Sequence, residues 1–199
     1  MSLGYVRPAR PGDAEQVARV QLTTWRTAYP QFIPRFAIDE VDADWLAQRW
    51  HAAITEPPSP QHHVLVAVEQ ADESHVVGFA AIGPADEAAL APDETPEGWQ
   101  DVAAITDLLV EPRWGRRGHG SRLLAAAVDL WRADGFATAV AWAFEKDVAT
   151  VKFLTSTGWE RDGAARALDI EGVLAPQARL HVSLDEPTAE AAAEPESGG

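Results

Sequence analysis

The residues best suited to chemistry in this sequence form a basic, glycine-rich loop at residues 110–124, here called the phosphate loop. Gly118 and Gly120 have no Cβ, so the backbone can adopt positive φ angles and an anion can approach closely. A helical pattern begins directly afterwards, and its unpaired N–H groups and positive dipole end would face that anion. An ordinary strand-to-helix turn is the alternative, but the local cations favour phosphate. They are Arg116, Arg117 and Arg122.

The spacing of the glycines excludes two common phosphate-binding loops. A Walker A loop ends in Gly-Lys-Ser/Thr, whereas Gly120 is followed here by Ser121 and Arg122. A dinucleotide fingerprint reads Gly-x-Gly-x-x-Gly after the first strand, but this loop has Gly115-x-x-Gly118-x-Gly120 beyond the midpoint of the chain. The phosphate ligand is therefore of another kind.

The phosphate loop resembles motif A of the GNAT superfamily, the acyl-CoA-dependent N-acyltransferases. In that motif a strand and Val-x-Pro lead to Arg/Gln-x-x-Gly-x-Gly/Ala, which opens a helix. Val110-Glu111-Pro112 and the segment 118–124 match it, although the usual Arg/Gln position is Gly115. The resemblance implies that acetyl-CoA binds here as cosubstrate, with its pyrophosphate held mainly by backbone amides. The cofactor-binding residues it implies are Leu109, Val110, Arg116, Arg117, Gly118, His119, Gly120, Ser121, Arg122 and Asp147.

The elements around the loop follow the same family order over roughly residues 4–185. Asp13 and Gln16 form a capping-box-like pair at the start of a first helix. The segment 147–159 resembles motif B, with Gly158 as the C′ residue of a short helix. Apolar periodicity and turn residues predict the other elements. They are strands at 5–10, 63–69, 75–82, 103–110, 138–144, 168–171 and 178–184, and a second helix at 44–54.

The resemblance implies an α/β (α+β) fold with a mixed, mostly antiparallel twisted sheet and helices on both faces. We expect one GNAT-like acyltransferase domain over residues 1–185. Residues 186–199 form an acidic tail rich in Ala, Pro, Glu and Gly, which we expect to be disordered. Residues 85–101 contain six acidic residues and no basic one, which suggests a solubilising loop or a rim that attracts a protonated amine.

Acyl transfer from a thioester to an amine needs a proton acceptor, because an alkylamine has a pKa of about 10.4. The resemblance implies direct attack without an acyl-enzyme. Family members often carry a basic Glu at the position of Ala104, so Asp107 on the same strand becomes the candidate base. Alternatively, Asp107 faces solvent or bonds to backbone N–H groups, and a chain of ordered waters removes the proton. A backbone N–H near Leu109 or Val110 would hold the oxyanion.

The family's general acid, a Tyr that follows the Phe of motif B, is replaced here by Leu154. The nearby Thr155 and Ser156 carry hydroxyl groups, but these also suit the end of the helix. Asp147 is expected to cap that helix, and direct contact with the cofactor is the other interpretation. Trp25 and Tyr29 are candidate substrate-binding residues, although aromatic residues at helical spacing are more often part of a core.

Composition excludes several other functions. The chain of 199 residues has a formal net charge of −15 and no cysteine, which excludes disulfides, thiolate metal sites and a cysteine acyl-enzyme. The six histidines form no metal-ligand pattern, so we expect no metal. No basic stripe lies outside the phosphate loop, and no apolar run or signal-like segment is present, so we expect no nucleic-acid or membrane partner and a cytoplasmic location.

The resemblance implies an N-acetyltransferase that moves an acetyl group from acetyl-CoA to a primary amine by direct attack in a ternary complex. The acceptor is a small amine or a protein amine. Ala104 and Leu154 motivate an alternative, an acyl-CoA-binding or regulatory module with little or no catalysis. A nucleotide-binding protein that uses the same loop is a third and weaker hypothesis. A homodimer is left open by the resemblance.

Overall fold

A seven-stranded sheet forms the centre of the protein, in the order β1-β2-β3-β4-β5-β7-β6. The computed structural model describes residues 4–70 and 74–185, so the predicted tail lies outside the described residues. Every neighbouring pair of these described strands is antiparallel except β4 and β5. The predicted mixed, mostly antiparallel sheet is therefore confirmed. The strands are β1 (Tyr5–Pro8), β2 (His63–Gln70), β3 (Ser74–Pro84), β4 (Val102–Val110), β5 (Thr138–Phe144), β6 (Glu160–Ile170) and β7 (Val173–Ser183).

Helices cover both faces of the sheet, as predicted. On one face, Val17 and Trp50 pack with Phe79 of β3, and on the other face Leu123 and Trp131 pack with Leu65 of β2. Each core therefore buries one set of alternating strand residues against amphipathic helices. The first face carries α1 (Ala14–Ala28) and α3 (Ala43–Thr55), and the second carries α4 (His119–Ala133) and α5 (Val148–Thr155). A short helix, α2 (Arg35–Asp39), lies between α1 and α3 in the chain. No described helix is long and apolar enough to cross a membrane.

The predicted capping box at the start of α1 is wrong. Asp13 makes no side-chain cap bond to α1. Its carboxylate instead accepts hydrogen bonds from the Arg7 guanidinium at 2.6 and 2.9 Å and from the Arg10 N–H at 2.7 Å. Gln16 accepts from the Val76 N–H of β3 at 3.1 Å. Both side chains thus tie α1 to neighbouring strands, because charged and long-range partners compete successfully with the local cap.

The last two strands are much longer than the sequence predicted. β6 is the edge strand, and most of its side chains are exposed or half-buried, so it lacks the apolar alternation that identifies a strand. Pairing with β7 defines it instead. The two-residue turn at Glu171 and Gly172 has positive φ angles of 51° and 85°, as a type I′ hairpin requires.

The one parallel pair of strands separates halfway along β4. Pairing runs from Val102 opposite Thr138 to Ile105 opposite Ala141, and β4 then continues to Val110 without further pairing to β5 among the described residues. The register of β4 against β3 also shifts at this point, which leaves Thr106 as the extra residue of a β-bulge. The candidate active site lies where the strands separate.

Candidate active site

A cavity of about 390 Å³, here called the wedge cavity, occupies the gap between β4 and β5. Its walls include residues 105–109 of β4 and 141–144 of β5. Tyr29 borders it on the α1 side, whereas Asp147 and Leu154 border it on the α5 side. The wedge cavity therefore connects the two faces of the sheet through the point where the strands part.

A second cavity of about 540 Å³, here called the aromatic cavity, lies between α1, α3 and strands β2 to β4. Its volume falls within the usual range for small-molecule sites. Both cavities are lined by Trp25, Thr106 and Asp107, so they meet at these residues. The aromatic lining residues of this second cavity are Trp25, Trp45 and Trp50. Leu46, Ala53 and Pro58 add further apolar surface.

Asp107 lies at this junction, and the protein makes it a stronger base than an ordinary carboxylate. Burial raises the pKa of Asp107 to about 6, against the opposing effect of a hydrogen bond from Thr106. Gln21 of α1 donates from Nε2 to Asp107 Oδ1 at 3.3 Å, and Gln21 Oε1 accepts from Trp50 Nε1 at 2.7 Å. The carboxylate is therefore oriented from α1, ionised at neutral pH, and able to take up a proton.

The bulge at Thr106 determines which face Asp107 occupies. Ile105, before the bulge, and Leu108, after the bulge, both pack into the α4 core. In a regular strand, residues three apart would lie on opposite faces. Ala104 and Asp107 accordingly lie on the opposite face, toward α1 and the 85–101 segment. If Thr106 were an ordinary residue of a regular strand, the period-two alternation would place Thr106 on the α1 face and Asp107 on the α4 face. Ala104, the position of the usual family Glu, packs with Ala89 and Val140 and lines neither cavity.

The backbone of the phosphate loop turns sharply before α4. Arg116 and Gly118 have positive φ angles of 61° and 79°, and α4 begins at His119. Arg116 and Arg117 are exposed, and the Arg117 guanidinium lies 4.7 Å from the ring centroid of Trp114. Both side chains therefore remain at the surface beside the helix N-terminus. This geometry suits an anion held by backbone amides and flanking cations.

His119 and Arg122 lie beneath the loop and support it from inside. The buried His119 ring places Nε2 3.0 Å from Oε2 of the buried Glu69 carboxylate, although without hydrogen-bond alignment. Arg122 Nη2 lies 3.2 Å from His119 Nδ1 and donates to the Arg117 carbonyl, also at 3.2 Å. Burial and the adjacent Arg122 lower the pKa of His119. The Arg122 guanidinium is therefore held by the backbone of the loop itself.

Two buried carboxylates that fix the loop could not be identified from sequence. Glu69 is separated from His119 by fifty residues. Glu111 begins the loop, and its buried carboxylate is hydrogen-bonded by Arg19 of α1 and by Arg113 Nε at 2.7 Å. A buried carboxylate needs such partners, since an unpaired charge in the interior is costly. Glu111 thereby anchors the start of the loop to α1.

Motif B closes the α5 side of the wedge cavity. Asp147 Oδ1 accepts from the Thr150 N–H at 3.0 Å and Oδ2 accepts from Thr150 Oγ1 at 2.7 Å, which confirms the predicted N-cap. At the other end Gly158 has φ 91°, and the Trp159 N–H donates to the Leu154 carbonyl at 3.2 Å, the pattern of a C′ glycine. The Cβ position of Gly120 lies 3.4 Å from the Phe153 ring, so α4 and α5 approach closely. Ser121 is exposed on the first turn of α4.

Trp25 and Tyr29 both line cavities, as the substrate-binding interpretation requires. Trp25 borders the two cavities, and Tyr29 borders the wedge cavity. The Tyr29 ring packs edge-on against Phe32 at 5.6 Å and Phe144 at 5.8 Å between centroids. Burial raises the pKa of Tyr29, with further contributions from the Asp147 and Asp107 carboxylates. Its hydroxyl therefore stays protonated.

The acidic segment 85–101 is more than a solubilising loop, because the buried Arg179 of β7 fixes it to the sheet. The guanidinium donates to both Glu94 oxygens at 2.5 and 2.6 Å and to Asp162 at 2.6 Å. It also lies 4.8 Å from the ring centroid of Trp99. Arg179 holds the pKa of Glu94 below its ordinary value. The segment forms a fixed border beside the aromatic cavity, which Asp86 lines.

Comparisons with known proteins agree with this geometry. The model of the acetyltransferase (GNAT) family matches residues 20–159. An uncharacterised N-acetyltransferase of Bacillus subtilis strain 168, YuaI, is 25% identical over 146 residues, which span 73% of this chain and 75% of that protein. Within the described part of the chain, no group of three or more His, Asp or Glu side chains is placed to hold a metal ion.

Solved structures show the same fold at low sequence identity. The putative acetyltransferase yncA of Salmonella typhimurium, solved with its cofactor acetyl-CoA, superposes with a TM-score of 0.65 and 20% identity, covering 96% of this chain and 99% of that one. An N-acetyltransferase of Staphylococcus aureus Mu50 superposes with a TM-score of 0.70 and 15% identity, covering 92% of this chain and 100% of that one. The PaiA N-acetyltransferase of Thermoplasma acidophilum, solved with coenzyme A, superposes with a TM-score of 0.66 and 15% identity. The match covers 91% of this chain and 99% of that one.

Proposed function

Because this chain belongs to the acetyltransferase (GNAT) family, we propose that it transfers an acetyl group from acetyl-CoA to a primary amine by direct attack in a ternary complex. One observation carries the proposal. Asp107, with its pKa raised to about 6, lies where a cavity between β4 and β5 meets a separate cavity under α1 and α3. Two substrates that enter by different cavities would thus meet beside a proton acceptor.

The phosphate loop and the wedge cavity are the proposed site of acetyl-CoA. The N-terminus of α4, with the exposed Arg116 and Arg117 beside it, suits the pyrophosphate. The wedge cavity runs along the part of β4 that is not paired with β5, so its backbone groups are free to hold the pantetheine and the thioester. Related folds solved with acetyl-CoA or coenzyme A support this assignment.

The chemistry follows from the positions around the junction. The amine nitrogen attacks the thioester carbonyl, and the new C–N bond forms as the C–S electron pair leaves on sulfur. The proton lost by nitrogen goes to Asp107, which is ionised above a pH of about 6. A backbone N–H of β4, near Leu109 or Val110, stabilises the oxyanion.

The aromatic cavity favours a small amine over a protein amine as the acceptor. A space of about 540 Å³ with three tryptophans on its walls fits a compact molecule with an apolar body. The acidic partners that would attract a protonated amine are Asp107 at its inner end and Asp86 on its wall. We therefore infer an arylalkyl or alkyl amine as the acceptor class.

Thiol release from acetyl-CoA tests the proposal. Phenethylamine and tryptamine should be acetylated with higher kcat/KM than ethanolamine, because the aromatic cavity binds their apolar bodies. A peptide with a free N-terminus serves as the protein-amine comparison. Binding of acetyl-CoA without acetylation of any of these acceptors would instead support the acyl-CoA-binding module, which the apolar Leu154 in the wedge cavity also favours.

A further inference from the structure

The wedge cavity contains a phenol that the family pattern does not assign. Leu154 occupies the position where the resemblance implies a general-acid Tyr, and an aliphatic side chain cannot donate to a departing thiolate. Tyr29, from the opposite side of the sheet, lines the same cavity as Leu154. The chain has two tyrosines, and the other, Tyr5, is partly exposed on β1. Tyr29 is therefore the phenol that reaches the space between β4 and β5.

The contacts of Tyr29 hold its ring in a fixed place. Phe32 and Phe144 pack against it edge-on, and their own rings are stacked with centroids 5.3 Å apart. Its hydroxyl has no hydrogen-bond partner among the residues that the structure describes, and it lies within electrostatic range of Asp107 and Asp147. A polar group with no protein partner on a cavity wall is free to bond to a substrate atom.

We propose that Tyr29 donates a hydrogen bond to the sulfur of coenzyme A as the C–S bond breaks, and so replaces the phenol absent at Leu154. This inference rests on the proposed acetyl transfer. The C–S electron pair moves to sulfur, the proton of the attacking amine goes to Asp107, and Tyr29 keeps its own proton. The charged residues that line the wedge cavity with Tyr29 are Asp107, Asp147 and Arg166.

The pKa of the coenzyme A thiol in its complex with the protein tests the proposal without turnover. Ultraviolet absorbance of the thiolate across a pH titration gives this value for the wild type and for Tyr29→Phe. Burial and the Asp107 and Asp147 carboxylates raise the pKa of a thiol in this cavity, whereas a hydrogen bond from a phenol favours the thiolate and lowers it. Tyr29→Phe should raise the bound value by about one unit, a tenfold change in the ionisation constant.

Steady-state kinetics provide the second readout, with Tyr5→Phe as the matched control. Tyr29→Phe keeps the ring contacts and should lower kcat by about 10- to 100-fold, while KM for the amine and the affinity for acetyl-CoA stay nearly constant. Tyr5→Phe should change none of these. Equal pKa values of the bound thiol in the wild type and in Tyr29→Phe would overturn the proposal. If the wild type transfers no acetyl group, the proposed function itself is wrong.

Discussion

Gln21 connects Trp50 to Asp107 through two hydrogen bonds, one accepted from the indole N–H at 2.7 Å and one donated to the carboxylate at 3.3 Å. The connection joins α3, α1 and β4 at the meeting point of the two cavities. An amide that both accepts and donates has a fixed orientation, since its oxygen is occupied by the indole. Gln21 therefore presents an N–H to Asp107 and stabilises the ionised carboxylate.

Replacement of Gln21 by Met should raise the pH at which kcat reaches its plateau. The loss of a hydrogen bond to the charged form of Asp107 raises its pKa, by about half a unit for a bond of this length. The pH dependence of kcat at saturating substrates measures the change. Gln16→Met is the matched control on α1, because Gln16 binds the Val76 N–H of β3. That control should lower the melting temperature and leave the pH profile in place. A Gln21→Met profile that superposes on the wild type would exclude this positioning role.

Asp107→Asn should stabilise the fold at neutral pH. The folded protein raises the pKa of Asp107 from 3.8 to about 6, so folding favours the protonated form. The stability that protonated Asp107 contributes to the wild-type fold is fully present below pH 3.8 and is lost as the pH rises through about 6. At pH 8 the uncharged Asn should therefore increase the free energy of unfolding by about 1–2 kcal/mol, after allowance for partial solvent access. Urea denaturation at pH 8 and pH 4 provides the comparison. An equal effect at both pH values would contradict the raised pKa.

Gly118→Ala should weaken acetyl-CoA binding by about tenfold, because the loop backbone must change to relieve strain. The native φ of 79° is unfavourable for a side chain, and a Cβ at this position would lie 3.0 Å from Arg122 Nη1. Isothermal titration calorimetry with coenzyme A measures the affinity. Gly12→Ala is the control, since a Cβ there meets no atom within 4 Å and that glycine lies outside the phosphate loop. An unchanged Kd for Gly118→Ala would argue against the loop as the pyrophosphate site.

Arg179→Met should destabilise the protein by about 1–2 kcal/mol, because it removes the guanidinium that holds the partly exposed Glu94 and Asp162 carboxylates. Since Arg179 lowers the pKa of Glu94, the stability from this pair is present above the ordinary value of 4.5 and is lost as the pH falls. The difference between variant and wild type should accordingly shrink in acid. Arg161→Met, at an exposed position on β6, is the control for charge removal. Melting temperatures at pH 7 and pH 4 provide the comparison. Equal melting temperatures for the two variants at both pH values would show that Arg179 does not fix the 85–101 segment to the sheet.

The phosphate loop could be predicted from sequence because its determinants are local. Gly118, the cations and the following apolar periodicity all lie within one strand-to-helix connection. The same holds for motif B, in which Asp147 and Gly158 cap one short helix through bonds to near neighbours. Local hydrogen bonding and backbone conformation are what sequence patterns describe best.

The proposed catalytic half of the site depends on long-range features that the sequence did not reveal. The bulge at Thr106 gives no sequence signal, yet it places Asp107 on the α1 face. The contacts of Asp107 with Gln21 and of His119 with Glu69 join distant segments, so one sequence cannot predict them. The edge strand β6 lacked an apolar pattern for a related reason, since half its surface faces solvent.

Asp107 is proposed to accept the proton of the amine that attacks acetyl-CoA. The most direct test is the pH dependence of kcat for acetylation of phenethylamine by the wild type and by Asp107→Asn, which retains an oxygen to accept the Gln21 hydrogen bond. The wild-type kcat should rise with pH as Asp107 ionises in the ternary complex and then level off, and the variant should lose about 100-fold in kcat together with this limb. A variant that keeps the wild-type kcat and the wild-type pH dependence would contradict this role of Asp107.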